Sequence, residues 1–167
     1  MPPKAVTGKG LGPVLGLYSH GMVAPAGEIV VVAGQVGTDS QGRLVDPGDV
    51  FAQTVQAFAN IEAVLRAAGS GMRDVIRFQT FLTRASDVDG FMLARRQVFA
   101  RCYPDDVYPP NTLLVVSRLV QQELLVEIEA MAVKPARKPA PRPAASTAKA
   151  KRGTARLPGR RPSARRR

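Results

Sequence analysis

The run Leu124-Leu125-Val126-Glu127-Ile128-Glu129-Ala130-Met131-Ala132-Val133 is apolar at every position except two. A segment this apolar and this short is expected to be a strand buried in a sheet. Two carboxylates inside it are costly unless they are paired or used. Alternation puts Glu127 and Glu129 on one face and Val126, Ile128 and Ala130 on the other. A second apolar run, Thr112 to Leu119, precedes it, and the two read as strands joined by a short polar turn. Asn111 then sits at the mouth of the first strand. Any fold for this chain must frame these two strands.

The upstream sequence supplies that frame. Ile29 to Gly34 is a β-branched run bounded by turn residues, hence a buried strand. Together with Tyr18 to Glu28 it reads as a hairpin. Asp49 is a good helix N-cap. Phe51, Val55, Phe58, Ile61 and Leu65 then recur at helical spacing, with Gln53, Gln56, Asn60 and Arg66 on the opposite face. Gly69 suits the left-handed residue after the helix. Val75 to Thr83 is the next strand. A second helix starts near Ser86, turns Phe91, Ala94 and Val98 inward and Arg95, Arg96 and Arg101 outward, and stops before Pro104. Pro109-Pro110 enforces extended chain. The order β-β-α-β-α-β-β predicts an α+β two-layer sandwich with both helices on one face of the sheet. Val115, Phe81 and Leu125 would then lie on the uncovered face, which argues for an oligomer.

Charge divides the chain. The 34 residues from Lys134 to Arg167 hold thirteen Lys or Arg and no acid. Residues 1–133 hold eleven basic groups against thirteen acidic ones, a net charge of −2. The formal +11 therefore belongs to the tail. This Ala/Pro/Lys/Arg texture cannot build a core, so residues 134–167 are expected to be disordered. Such a tail can associate with nucleic acid non-specifically through phosphate contacts. Residues 1–12, rich in Gly and Pro, are expected to be a flexible lead-in to a domain spanning 13–133. Gly8-Lys9-Gly10-Leu11-Gly12 has neither the preceding strand nor the Lys-Ser/Thr step of a phosphate loop.

A single cysteine, Cys102, excludes an intramolecular disulfide. With a single histidine, His20, there is no zinc set. No apolar run reaches the ~18–20 residues of a membrane span, and the N-terminus lacks the apolar core of a signal peptide. A soluble cytoplasmic protein without membrane partners is expected.

Tyr18-Ser19-His20, Val32-Ala33-Gly34-Gln35-Val36, Leu65-Arg66-Ala67-Ala68-Gly69, Phe81-Leu82-Thr83 and Leu125-Val126-Glu127-Ile128-Glu129-Ala130 occur in this order. On these motifs the chain resembles the RidA/YjgF family of reactive-intermediate deaminases over residues 13–133. The resemblance implies a chorismate-mutase-like fold assembled as a homotrimer with clefts at subunit boundaries. It implies hydrolysis of an enamine or imine C=N bond, in the manner of a 2-iminobutanoate/2-iminopropanoate deaminase, with release of ammonia and a 2-keto acid. No cofactor or metal is implied.

Carried over by position, Glu127 handles the catalytic water, and Tyr18 and Gly34 complete the substrate cleft. The family's carboxylate-binding Arg falls on Asn111, since this chain reads Pro-Pro-Asn-Thr where those members read Pro-Ala-Arg-Ser. An amide is neutral and lacks the planar charged fork. The chain therefore resembles an Arg-less branch, and Arg95 is the candidate to replace the missing charge. Other roles remain open at each position. Glu127 could lie on a solvated sheet face or in an intersubunit ion pair, Asn111 could bond its own turn, and Gly34 could let the strand end turn. Three functions follow: an imine deaminase, a non-catalytic metabolite-binding trimer, or a nucleic-acid-associated protein acting through its tail.

Overall fold

The computed structural model describes residues 2–136. Among these residues six strands and two α-helices form in the order β1 (Lys4–Val6), β2 (Gly21–Val23), β3 (Gly27–Val36), α1 (Val50–Ala67), β4 (Val75–Leu82), α2 (Val88–Cys102), β5 (Asn111–Val115) and β6 (Val126–Pro135). Strands β3, β6, β4 and β5 make one mixed sheet in that spatial order. Strand β6 is antiparallel to both neighbours, and β5 is parallel to β4. With both helices packed over one face, this is the expected α+β sandwich of the chorismate-mutase type.

Local chemistry explains the elements. Asp49 caps α1 as expected: its Oδ1 accepts the Phe51 and Ala52 amide hydrogens at 2.8 and 3.2 Å. At the other end Gly69 adopts φ +72°. Its N–H reaches the Arg66 carbonyl, and the Ser70 N–H reaches that of Leu65, closing the helix in a Schellman motif. Ala57, Phe58, Ile61 and Leu65 from α1 and Phe91, Val98 and Phe99 from α2 meet Val32, Phe78, Leu82, Val126, Ile128 and Ala130 from the sheet. Phe58, Phe78 and Phe99 pack with ring centroids 5.6–5.8 Å apart, the spacing at which aromatic quadrupoles attract.

Several details depart from expectation. Strand β2 pairs with β1 in a separate two-stranded sheet rather than forming a hairpin with β3. Residues 4–6, within the stretch expected to be a flexible lead-in, supply its partner strand. The two final strands are not a hairpin. Strand β5 ends at Val115, and β4 lies between it and β6. The β4–α2–β5 segment is a crossover, which a parallel pair requires. Leu125, expected on the uncovered face, is buried, as are Leu119 and Leu124. Leu125 donates its N–H to Gln53. Strand β6 also continues past Val133 to Pro135, with Lys134 Nζ 2.7 Å from Glu28. The remaining tail, 137–167, and its expected disorder lie outside the described residues.

Burial alternates along β4 and β6, so the sheet has a helix-covered face and an open face. The open face presents Glu127, Glu129, Phe81, Gln79, Arg77 and Leu114, together with Val31 at 69% exposure. One irregularity interrupts this face. Between Val32 and Gln35 the β3–β6 register slips by one, so Ala33 and Gly34 together stand opposite Glu129. This is a β-bulge.

Candidate functional site

Glu127 enters the open face from the second position of β6, paired across the sheet with Val36 and with Phe81. Its apolar neighbours Val126 and Ile128 point into the core, as the sequence alternation predicts. The Glu127 carboxyl lies over Gly34. A Cβ built there would stand 2.6 Å from Glu127 Cδ and 2.8 Å from Cγ, closer than real Cβ contacts. Gly34 does not have positive φ. It is glycine because the carboxyl occupies the place of its side chain, not because the strand must turn there. The bulge and the carboxylate thus form one feature: β3 bends at Ala33–Gly34, and the cleared space receives Glu127.

The other expected site residues gather elsewhere. Tyr18 and Ser19 lie beside the segment before β5, where Ser19 Oγ donates to the Tyr108 carbonyl at 2.6 Å. The Tyr18 hydroxyl accepts the Leu15 N–H at 3.2 Å. Asn111, the first residue of β5, is half-buried and accepts a 3.0 Å hydrogen bond from Thr80 Oγ1 through its Oδ1. Its register partner is Phe78, which places it on the helix-covered side. From Asn111 to Glu127 is two strand spacings and three residues along, each roughly 10 Å, and the two lie on opposite faces. Within one chain the structure brings Gly34 to Glu127, and Tyr18 to the strand-entry segment of Asn111. It does not bring these pairs together.

Arg95 is not on a solvated helix face. It is only 1% exposed, the largest fully buried side chain among those described. Its Nη2 donates to the Leu17 carbonyl, and its guanidinium carbon lies 5.0 Å from the Phe99 ring centroid and 5.9 Å from that of Phe91. Nε has no partner. The loss of water lowers its pKa to about 10, with nearby Tyr103, Tyr18 and Tyr108 acting in the opposite sense. The helical wheel misplaced it because aromatic faces and a loop carbonyl accommodate a guanidinium that solvent otherwise would. Arg95 therefore lies beneath the Tyr18 segment and holds it from below.

Sequence reasoning missed the polar residues of α1. Gln53 is fully buried, with Nε2 donating to the Glu123 carbonyl at 3.2 Å and Oε1 accepting the Leu125 N–H at 2.9 Å. Asn60 Nδ2 donates to the carbonyls of Val36 and Thr38 at 3.0 and 2.9 Å, and its Oδ1 accepts from Gln56 at 2.9 Å. The signal was present as three amides at helical spacing, Gln53, Gln56 and Asn60, in a helix whose two ends were clear.

Among the described residues no cluster of three His, Cys, Asp or Glu side chains could hold a metal ion. No helix among them is long and apolar enough to cross a membrane.

The family model described as Endoribonuclease L-PSP matches residues 12–134. The chain belongs to the RidA/YjgF family. Among curated RidA/YjgF relatives, a RutC family protein of Pyrococcus horikoshii is 34% identical over 120 residues, covering 72% of this chain and 89% of that protein. The crystal structure of YyfB from Yersinia pestis, a protein of the conserved Rid family, is similar with a TM-score of 0.71 at 31% identity. It covers 80% of this chain and 100% of that one. TdcF of E. coli, solved with bound serine, matches at 28% identity and a TM-score of 0.59, over 79% of this chain and 99% of that one.

Proposed function

We propose that this protein hydrolyses an enamine or imine C=N bond in clefts between the subunits of a homotrimer, releasing ammonia and a carbonyl product. The observation that carries the proposal is the Glu127 carboxylate on an open sheet face, with Gly34 cleared to receive it. A carboxylate held there can take a proton from water as the water adds to the electrophilic carbon, and can return it to the leaving nitrogen. No cofactor or metal enters these steps.

The cleft lies between subunits because one chain holds the components apart. Glu127 and Gly34 are on the open face, and Asn111 and Tyr18 are near the opposite edge. A neighbouring subunit seated on the exposed Val31 and Leu114 would join one chain's Glu127 to another's Asn111 and Tyr18. Asn111 spends Oδ1 on Thr80, which leaves its NH2 group to donate to a substrate oxygen. Arg95 supports the site through the Tyr18 segment. The substrate is a small imine, either neutral or held by this amide, and the protein acts in the cytoplasm.

The test is ammonia release from freshly generated imines by the wild type and by Glu127→Ala. Wild-type turnover that the variant loses supports the proposal; equal background rates for both overturn it.

A second reading is a binding module without turnover. Asn111 favours it, since a neutral amide stands where the resemblance places a charged fork, and TdcF carries bound serine. A ligand-dependent thermal shift abolished by Asn111→Ala, with no turnover, would select it. Non-specific nucleic-acid association through residues 134–167 is a separate proposal whose basic segment lies almost wholly outside the described residues. Removing Lys138–Arg167 should abolish binding and its steep salt dependence.

A further inference from the structure

The amides of α1 occupy an unusual position. Gln53 bonds the backbone at both Glu123 and Leu125, two residues before Glu127. Its stem also runs against Gly37, where a Cβ would stand 2.6 Å from Gln53 Cβ. Asn60 bonds the backbone at Val36 and Thr38, two and four residues after Gly34. Gln56 links the row by donating to Asn60. One rigid helix therefore holds the end of β3 and the start of β6 through four side chain–backbone bonds.

These two strand ends flank the Gly34–Glu127 contact. Strand pairing alone fixes their register but leaves the bulge free to relax, because its extra residue has no ladder partner. A fully buried amide with both its donor and its acceptor engaged is costly to move, since displacement orphans groups on both sides. A ligand-handling carboxylate needs its geometry held within about half an ångström, and side chains on helices hold geometry better than loops do.

We infer that Gln53 and Asn60 are positioning residues. Helix α1 uses them to lock the β3 bulge against the start of β6, and so sets the placement of the Glu127 carboxylate over Gly34. This rests on the proposed role of Glu127 for its catalytic consequence, but the geometric claim stands without it.

The experiment uses the full chain and two variants, Gln53→Met, which keeps the length of the side chain and loses both bonds, and Asn60→Ala, at a half-buried position that folds more readily. Folding is checked by urea unfolding. Amide NMR cross-peaks of Gly34 and Glu127 report the contact, and kcat and KM report imine hydrolysis. The expected result is displaced Gly34 and Glu127 cross-peaks in folded variants, with kcat reduced on the order of tenfold or more and KM changed less than about twofold. Folded variants with wild-type Gly34 and Glu127 cross-peaks overturn the inference, whatever their stability. If the wild type hydrolyses no imine, the proposed function fails while the cross-peaks still decide the positioning role. Lower stability with unmoved cross-peaks and unchanged kcat identifies the row as merely structural, which also overturns it.

Discussion

The carboxyl of Glu127 fills the volume that a side chain on Gly34 would need. Gly34→Ala therefore forces the carboxyl aside. The obstructing atoms belong to a rotatable side chain, so the fold survives with a stability cost of about 1–3 kcal/mol. The rate of imine hydrolysis should fall with it. Urea unfolding and ammonia release measure the two effects, and an active Gly34→Ala enzyme would show that the contact has no catalytic meaning.

Asn111→Arg tests the vacancy left by the family's carboxylate-binding group. A charged hydrogen bond is roughly twice as strong as a neutral one, so kcat/KM on 2-imino acids should rise on the order of tenfold. Neutral imines should gain nothing. Thr80 Oγ1 loses its acceptor, at a cost of about 1 kcal/mol. An equal response for both substrate types would place residue 111 away from the substrate carboxylate.

Arg95→Lys keeps the charge but loses the planar group between Phe91, Phe99 and the Leu17 carbonyl. A compact ammonium cannot stack in that slot and is more strongly hydrated. Stability should drop by about 1–3 kcal/mol. Amide hydrogen exchange at Tyr18 and Ser19 should accelerate more than in the β6 core. Exchange that rises evenly across the molecule would refute a local hold on Tyr18.

Cys102 offers a pH-dependent test. Burial pushes its thiol above the ordinary 9.0, which outweighs the Arg101 charge acting the other way. Less thiolate forms at any given pH, so a disulfide reagent should label native protein at pH 8 far more slowly than urea-unfolded protein. The unfolded thiol ionises first, so above pH 9.0 the native state holds more protons and stability falls as pH rises. Cys102→Val should remove that part of the alkaline slope in urea unfolding.

Much of this architecture was legible because local chemistry and tertiary packing agree. Asp49 and Gly69 end α1 where sequence reading places them, and the alternation in β6 correctly separates Glu127 from Val126 and Ile128. The misplacements arise where long-range packing decides. Nothing near Thr112 reveals that β4 will come between β5 and β6, because a parallel partner lies a whole helix away. Arg95 carries a charge that a helical wheel sends to solvent, and only the ring of Phe99 and the Leu17 carbonyl explain its burial. Gln53 and Asn60 read as a polar exterior because amides are common there, and their backbone partners lie 22 to 72 residues distant. Of the site, Glu127 announced itself by residue type. The reason for Gly34 emerged only when β3 and β6 were laid side by side.

The extra residue at Ala33–Gly34 also governs how this chain can change in length. Upstream of it β3 runs in one phase against β6, and downstream in the other. Deleting Ala33 would merge the phases into an unbroken ladder: Gln35 and Val36 would keep Ile128 and Glu127 as partners, but Gly34 alone would face Glu129 and the bulge beside the Glu127 carboxyl would be lost. Gains and losses of residues can accumulate in the turn at 39–43 or at the exposed 120–122 without touching this bulge. Between Val32 and Gln35 the length of the chain is itself an inherited trait, and a comparison of lineages should find substitutions there but no gaps.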